Sequence, residues 1–382
     1  MATDRDAAGQ LQLGGVPLAE VAATVATPFY AYDVDAMVAE ARALDAAFEG
    51  APHLIAYAVK ANTAGTIVRA LAEAGCGADV VSGSELEVAL ACGIDPAKIV
   101  YSGVAKRDDE LDLAISCKDQ GICAIQIESV EEIARIAARA RAASRKARVS
   151  LRFNPEIDDI GTHAHISTGH DEAKFGVAAV DIPRAIDALR SSPELEVVGL
   201  NTHVGSQLTS TDDYAKAARS LFDLAKNVCA AHALSPRYLD VGGGFGIDYG
   251  DGCHVKPADF VRAARQAQRD AGFGDLPLYI EPGRSLVAAH GVIVSRVIQS
   301  KVTADRRWLM IDAGMNDLIR PALYQARHII VELDRHMPNP TTSWRVVGPV
   351  CESSDDFGSH DLPEKQADFV AILDAGAYGF TM

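Results

Sequence analysis

Apolar runs of strand length alternate with helical patterns along the first three quarters of the chain. Leu54 to Val59 is such a run, and it ends in a lysine, Lys60. Eight alternations of this kind predict a (β/α)₈ TIM barrel, with a doubly wound open sheet as the alternative. The predicted strands are His53–Lys60, Ala78–Ser82, Lys98–Ser102, Ala124–Glu128, Val149–Asn154, Val197–His203, Arg237–Gly242 and Leu278–Glu281.

Polar residues suited to helix capping stand before several of the intervening segments. Ser129 and Glu132 have the spacing of a capping box, in which each side chain bonds the other residue's backbone amide. The predicted helices run from Asp33 to about Phe48, from Ser84, from Ser129 to about Ser144, from Asp212 to about His232, and from Pro257 to about Gly272.

The pattern changes after about Ser285, where β-like runs follow one another with few helices between them. We predict a second, all-β domain of the barrel or sandwich type, which an early strand at Pro28–Tyr32 could join. The predicted domains are residues 34–285 for the barrel and residues 1–33 together with 286–382 for the β domain. Its other predicted strands are Gly291–Val302, Arg307–Ile311, His328–Glu332, Trp344–Val350 and Ala367–Leu373.

Charge and cysteine content narrow the classes of function. The 382 residues carry a net charge of -16, which argues against nucleic-acid binding and against an anionic membrane surface. The N-terminus has no apolar segment of the kind a secretory signal needs, and no run reaches the length of a spanning helix. Seven cysteines without a CxxC pair indicate reduced thiols, so we expect a cytoplasmic protein.

Polar residues and glycines stand at the ends of the predicted strands, where barrel enzymes carry their chemistry. A desolvated amine at Lys60 would have a lowered pKa and could attack a carbonyl carbon. The alternative is an ordinary lysine whose charged end reaches the solvent. The other strand ends are Ser82, Ser102, Glu128, Asn154, His203, the Gly242–Gly244 turn and Glu281.

Three of these strand ends could bind an anion or a planar ring. Gly-Gly-Gly-Phe-Gly at 242–246 would let backbone amides approach a phosphate, although a tight turn is the alternative. His203 could stack on a ring and Ser206 could donate to a phosphate, unless His203 is a core residue. Glu281 would need a cationic partner, either a protonated pyridine nitrogen or Arg284 in an internal salt bridge.

Other polar stretches are ambiguous on their own. Cys351 beside Glu352 could donate a proton, or the cysteine could be a small buried apolar residue. The loop 312–324 offers Arg320 and Tyr324, or is a solvated turn. The histidines at 163, 165 and 170 have no cysteine or paired carboxylate to complete a metal site, and we expect no metal.

Taken together, these motifs resemble the fold-type III pyridoxal-phosphate enzymes, which include alanine racemase and the ornithine, arginine and diaminopimelate decarboxylases. The resemblance is carried by Tyr-Ala-Val-Lys-Ala-Asn at 57–62, His-Val-Gly-Ser-Gln at 203–207, the glycine motif at 242–246 and Glu-Pro-Gly-Arg at 281–284. Three further stretches, 162–176, 312–324 and Gly-Pro-Val-Cys-Glu-Ser at 348–353, are most similar to the diaminopimelate decarboxylase family.

The resemblance implies the cofactor, the partners and the roles of individual residues. Lys60 would bind pyridoxal 5'-phosphate covalently, Glu281 would keep its ring nitrogen protonated, and Cys351 would donate a proton in the other subunit of a homodimer. Further cofactor contacts would come from Asp79, Ser82, His203, Ser206, Gly242, Gly243, Gly244, Pro282, Gly283, Arg284 and Tyr378. Substrate contacts would come from Arg284, Arg320, Tyr324, Glu352 and Tyr378.

The implied reaction is the decarboxylation of meso-2,6-diaminopimelate to L-lysine and CO₂, the last step of lysine biosynthesis. One alternative is a related decarboxylase acting on ornithine, lysine, arginine or carboxynorspermidine. Another is a pyridoxal-phosphate-binding protein without turnover. Two arginines and Glu352 suit a substrate whose far end carries both charges, whereas an amine-only far end would favour acids without the arginines.

Overall fold

The computed structural model describes residues 3–155, 174–232, 234–253, 255–335, 340–365 and 367–382. Contacts between residues divide the chain into two units. The barrel unit comprises Glu40–Gly246 and Val255–Gly283, and the β unit comprises Met1–Ala39, Ile247–His254 and Arg284–Met382. These bounds differ from the predicted domain bounds chiefly at residues 247–254, which belong to the β unit although barrel sequence lies on both sides.

The chain begins with short elements of the β unit. Strands β1 (Thr3–Arg5), β2 (Leu11–Leu13) and β3 (Val16–Pro17) form a small antiparallel sheet, followed by helix α1 (Leu18–Ala22) and strand β4 (Phe29–Tyr32). Helix α2 (Val34–Ala47) comes next. The Asp33 carboxylate accepts a hydrogen bond of 2.9 Å from the amide of Ala36, so Asp33 caps α2 as predicted.

Eight parallel strands of the barrel unit close into a ring, which confirms the predicted TIM barrel. Each strand pairs with its neighbours in sequence, and the last strand pairs with the first at Leu278–Ile280 and His53–Ile55. The strands are β5 (His53–Ala58), β6 (Gly77–Val80), β7 (Ile99–Tyr101), β8 (Ala124–Ile127), β9 (Ala147–Phe153), β10 (Leu195–Thr202), β11 (Tyr238–Gly243) and β12 (Leu278–Glu281).

Helices connect these strands. They are α3 (Gly65–Glu73), α4 (Gly83–Ala91), α5 (Asp108–Ser116), α6 (Val130–Ala142), α7 (Ile182–Arg190), α8 (Thr211–His232) and α9 (Pro257–Asp270). The predicted start of α4 at Ser84 is wrong, because Ser82 is the capping residue. Its hydroxyl accepts the Glu85 amide at 3.2 Å, which places Ser84 inside the helix.

The second part of the β unit is built around one sheet. After α10 (Arg284–Val287), its elements are β13 (Gly291–Val302), β14 (Arg307–Ile311), α11 (Arg320–Tyr324), β15 (Ile330–Glu332), β16 (Thr341–Val347), β17 (Asp356–Pro363) and β18 (Phe369–Ile372). The early strand β4 pairs with β13, as the sequence suggested. Strand β17 was not predicted, because its residues Gly358, His360 and Asp361 interrupt the apolar pattern. Its partner β16 holds it in the sheet.

Two general properties of the chain concern its helices and its cysteines. None of the helices in the described ranges is long and apolar enough to cross a membrane. All seven cysteines lie within those ranges, and each is a free thiol.

Candidate active site

Lys60 lies just after the first barrel strand. Strand β5 ends at Ala58, and Lys60 occupies a single 3₁₀ turn, Val59–Ala61, rather than the strand itself as predicted. Its amine bonds the carboxylate of Asp79 in the neighbouring strand β6. The Asp79 side chain is fully buried, whereas 33% of the Lys60 side chain is exposed. The buried acid therefore holds an accessible amine at the carboxyl end of the barrel strands.

A chain of buried side chains continues from Asp79 through the barrel unit. The Ser102 hydroxyl lies 2.5 Å from Asp79 Oδ1 and 2.9 Å from Gln126 Oε1. The other end of Gln126, Nε2, donates to Glu281 Oε1 at 2.7 Å and to Asp240 Oδ2 at 3.2 Å. Polar groups from five of the eight strands, or the positions just after them, thus meet in one network.

Glu281 and Asp240 are buried carboxyl groups on neighbouring strands. Burial raises the pKa of Glu281 well above its usual range, and the negative charges of Asp240 and Asp79 raise it further. Burial also raises the pKa of Asp240 to about 7, although hydrogen bonds from the Gly242 amide and from Glu281 oppose that rise. A cation bound beside Glu281 would stabilise its carboxylate form, so this position suits a protonated ring nitrogen.

His203 follows β10 and is held as a neutral ring. The Gly243 amide donates to its Nδ1 at 3.2 Å, so this nitrogen carries no proton. Burial lowers the pKa of His203 well below its usual range, and the positive charges of Arg152 and Lys60 lower it further. Nδ1 lies 4.0 Å from Glu281, but a neutral ring forms no ion pair with it.

The glycine turn at the end of β11 leaves no room for a side chain at Gly242 or Gly243. Gly242 has a φ of +69°, and a Cβ there would lie 2.6 Å from His203 Nδ1. A Cβ on Gly243 would lie 1.9 Å from the carbonyl oxygen of Glu281. The absence of side chains brings the backbone of this turn against His203 and against the end of β12.

Other predicted cofactor residues are placed in the same unit. Ser82 caps helix α4, and Ser206 is half-buried after β10. The Pro282 carbonyl accepts the amide of Ala58 at 3.0 Å, which ties the segment of Pro282 and Gly283 to the end of β5.

The sequence analysis did not identify several polar residues that lie inside the barrel strands. Arg152 of β9 donates to Glu128 Oε1 at 2.7 Å, and Glu128 also accepts the amides of Gly103 and Gly176 at 2.9 Å each. Burial alone would raise the pKa of Glu128, but Arg152 and Lys106 bring it below its usual range. The missed signal is a lone polar residue inside an apolar strand, as at Gln126 and Asp240.

Two predicted substrate arginines lie together in the β unit, in what we call the arginine cluster: Arg284, Arg320, Tyr249, Tyr378 and His328. Arg284 Nη1 donates to the Tyr249 hydroxyl at 2.8 Å, and its guanidinium lies 4.9 Å from the centre of the Tyr378 ring. Arg320 lies 4.8 Å from the centre of the Tyr249 ring. Tyr249 was not anticipated, since it follows the glycine motif in a stretch without a recognisable pattern.

His328 is the neutral partner of Arg320 in this cluster. Its Nδ1 donates to the Leu373 carbonyl at 2.8 Å, so Nε2 can accept from Arg320 Nη1 at 2.7 Å. Burial, and then the positive charge of Arg320, lower the pKa of His328 to about 3. Tyr324 is half-buried at the end of α11, the helix that begins with Arg320.

Cys351 and Glu352 lie in the connection between β16 and β17, and both are exposed. The alternative of a buried apolar cysteine is therefore wrong. Asp355 organises this connection, because its carboxylate accepts the amides of Val350 and Met315 at 2.7 Å each.

The histidines at 163, 165 and 170 lie outside the described residues. Within the part of the chain that the structure describes, no group of three or more histidine, cysteine or acidic side chains could hold a metal ion.

Comparison with known proteins shows which family this chain belongs to. Residues 34–288 match the family described as "Pyridoxal-dependent decarboxylase, pyridoxal binding domain". The chain is 41% identical to the diaminopimelate decarboxylase of Pseudomonas aeruginosa, covering 99% of this chain and 89% of the relative. It is 40% identical to that of Vibrio cholerae, covering 98% and 88%.

A solved structure shares the fold over nearly the whole chain. Diaminopimelate decarboxylase from Helicobacter pylori, complexed with L-lysine, is 38% identical with a TM-score of 0.89. The match covers 96% of this chain and 90% of the other.

The barrel residues fit pyridoxal 5'-phosphate. An accessible amine at Lys60 suits an aldehyde, and the glycine turn leaves backbone close to where a phosphate could bind. The buried carboxyl group of Glu281 suits a protonated pyridine nitrogen. The aldehyde, the phosphate and the ring nitrogen of the cofactor thus each find a chemical counterpart in this unit.

Proposed function

This chain belongs to the family of pyridoxal-dependent decarboxylases, and we propose that it converts meso-2,6-diaminopimelate into L-lysine and CO₂. The arginine cluster is the observation that supports this substrate. Arg284 and Arg320 are buried guanidinium groups that share Tyr249 as a neighbour. Two buried cations of this kind suit an acidic group, which diaminopimelate has at its far end and ornithine, lysine and arginine lack.

The cofactor is pyridoxal 5'-phosphate, which when bound delocalises the electron pair left on the substrate carbon as CO₂ departs. Lys60 would hold its aldehyde carbon, and Glu281 would hold the proton of its ring nitrogen. The Gly242–Gly244 turn and Ser206 would bind the phosphate. The remaining contacts we propose are Asp79, Ser82, His203, Pro282, Gly283, Arg284 and Tyr378.

The protein's own groups account for the rest of the reaction. Asp79 orients the Lys60 amine and accepts a hydrogen bond from it. Arg284, Arg320, Tyr324 and Tyr378 would bind the distal carboxylate, with Glu352 taking the distal ammonium group. Cys351 would give a proton to the carbon that loses CO₂, a role that its exposed position permits.

We further propose that Cys351 and Glu352 act in the site of a second copy of the chain, in a homodimer. The support is their exposure in a connection shaped by Asp355. We place the protein in the cytoplasm, for which the seven free thiols are the support.

A parallel assay tests the substrate. The holoenzyme is incubated separately with diaminopimelate, ornithine, lysine and arginine, and CO₂ release is measured. We expect release from diaminopimelate with kcat/KM at least about 100-fold above the other three, since each lacks the carboxylate that pairs with two arginines.

A pair of variants checks that the arginine cluster causes this preference. Arg320→Ala should raise KM for diaminopimelate by about 10-fold or more, because one charge-assisted hydrogen bond is lost. Arg327→Ala, which removes an exposed arginine of the same loop region, should leave KM unchanged. Release of CO₂ from ornithine in preference to diaminopimelate would instead identify the related decarboxylase.

A further inference from the structure

Gln126 lies at the middle of the buried network of the barrel unit. It is the lone polar residue of strand β8, whose sequence is Ala-Ile-Gln-Ile, and it is 1% exposed. A buried carboxamide needs hydrogen-bond partners for both of its ends. Gln126 finds them at Ser102 on one side and at two carboxyl groups, Glu281 and Asp240, on the other.

These partners allow one orientation of the amide. Nε2 carries two hydrogens, and it faces Glu281 Oε1 at 2.7 Å and Asp240 Oδ2 at 3.2 Å. Oε1 faces the Ser102 hydroxyl at 2.9 Å, and that hydroxyl lies nearer, at 2.5 Å, to Asp79 Oδ1, to which its single hydrogen can be donated. The reversed amide would set its oxygen against two carboxyl groups, so these two acids fix the direction of the amide.

The donor end of Gln126 matters because the groups around Glu281 have opposing effects on its protonation. Burial and the negative charges of Asp240 and Asp79 favour a protonated Glu281, whereas the positive charges of Lys60 and Arg152 oppose this. A hydrogen bond donated to Glu281 favours its carboxylate form. The groups facing Glu281 are Asp240 on β11, Asp79 on β6, Arg152 on β9, Lys60 after β5 and His203 after β10.

The amide also separates two pairs of ionisable side chains. Lys60 and Asp79 lie on the Ser102 side, and Glu281 and Asp240 lie on the other. An amide forms hydrogen bonds to both sides but has no proton to give up at neutral pH. A glutamate in its place would join all the carboxyl groups into one titrating system.

We propose that Gln126 is a positioning residue: its amide fixes the Glu281 carboxylate toward the cofactor's ring nitrogen and separates it from the proton of the Lys60–Asp79 pair. The inference rests on the proposed function, since it assigns Glu281 to that nitrogen. Without the Nε2 donor, the proton moves from the ring nitrogen to Glu281, and the ring accepts electrons less well.

The test uses holoenzyme prepared with pyridoxal 5'-phosphate labelled with ¹⁵N in its ring, whose chemical shift reports whether that nitrogen is protonated. Gln126→Met keeps the length of the side chain and removes the donor. We expect its ¹⁵N shift to move from the protonated toward the unprotonated value, with kcat lowered about 10-fold or more and KM within about twofold of wild type.

Gln268→Met is the matched control, since Gln268 is also a fully buried glutamine of the barrel unit, on helix α9 with a bond to the Leu276 carbonyl. It should keep the wild-type ¹⁵N shift. If Gln126→Met does not take up the cofactor, Gln126→Leu decides the question, because it also lacks the donor in a shorter side chain and should move the shift in the same direction.

A wild-type ¹⁵N shift in Gln126→Met, or in Gln126→Leu where the first variant takes up no cofactor, would overturn the proposal. CO₂ release by the wild-type holoenzyme is recorded in the same preparation. If diaminopimelate gives no CO₂ while the variants still move the ¹⁵N shift, the substrate assignment is wrong and the role of Gln126 stands.

Discussion

At the scale of single residues, the site depends on one amine and on the acids that surround it. Lys60 is partly exposed, while its partner Asp79 and the more distant Glu281 are buried. Removing a charged partner from a buried acid costs more than removing an exposed charge, since the acid stays in a low-dielectric site. The chemistry of this lysine therefore differs from that of the surface lysines of the chain.

Lys60→Ala should abolish the visible absorbance of the protein after incubation with pyridoxal 5'-phosphate, because the nearby buried amine of Lys106 is already bonded to Glu132 and to the Gly103 and Gln126 carbonyls. The measurement is an absorbance spectrum after removal of free cofactor. Lys98→Ala is the control, since Lys98 is an exposed lysine whose amine bonds the Gly75 carbonyl. An unchanged spectrum in Lys60→Ala would remove Lys60 as the anchor.

The residues at strand ends were predictable, whereas Gln126 and Asp240 inside the strands were not. Parallel strands bring their carboxyl ends to one face of a barrel, so Lys60 and Glu281 could be placed together from the sequence. Gln126 and Asp240 gain their partners only when the register of each strand is known, because one residue of slip reverses the side that a side chain faces.

At the scale of elements, the connection between β16 and β17 shows how a loop can present a reactive group. Asp355 is buried and accepts two backbone amides, one from its own loop at Val350 and one from Met315 in the loop before α11. The connection that carries Cys351 and the segment that leads to Arg320 are thus joined through one carboxylate.

Asp355→Ala should lower kcat about 10-fold or more while leaving cofactor absorbance unchanged, since two amides lose their acceptor and the Cys351 connection loses its shape. Steady-state kinetics and the visible spectrum provide the comparison. Asp361→Ala, at an exposed position of the adjacent strand, should behave like wild type. Wild-type kcat in Asp355→Ala would show that the connection keeps its form without the carboxylate.

The bounds of elements were predicted best where the pattern was long and uninterrupted. Strand β13 was predicted to the residue, whereas β17 was missed because its polar face and Gly358 hide the alternation that β16 completes. The start of α4 was predicted wrongly because two residues could cap the helix. Two serines, Ser82 and Ser84, were both suited to capping, and only the turn after β6 selects the first.

At the scale of the whole molecule, the eight strand–helix alternations predicted the barrel, and the change of pattern after Ser285 predicted the β unit. The return of residues 247–254 to the β unit was not predictable, since that short segment carries no periodic signal of its own. Its Tyr249 contributes to the arginine cluster, so the missed segment forms part of the proposed substrate site.

If the site is shared between two subunits, two inactive variants should complement one another. Lys60→Ala and Cys351→Ala are each expected to lose nearly all activity. After the two are dissociated and reassembled together, about a quarter of wild-type activity should return, because half of the dimers are mixed and each mixed dimer has one intact site. No recovery, with mixed dimers present by mass spectrometry, would mean that each site is built from one chain.

The pairing of β12 with β5 has a consequence for how the protein is made. The amine at Lys60 and the acid at Glu281 come from opposite ends of the barrel sequence, and they become neighbours only when the last strand joins the first. During synthesis on the ribosome, Lys60 therefore emerges long before Glu281, which is needed to complete the cofactor site. Binding of pyridoxal 5'-phosphate therefore reports that a chain has closed its barrel.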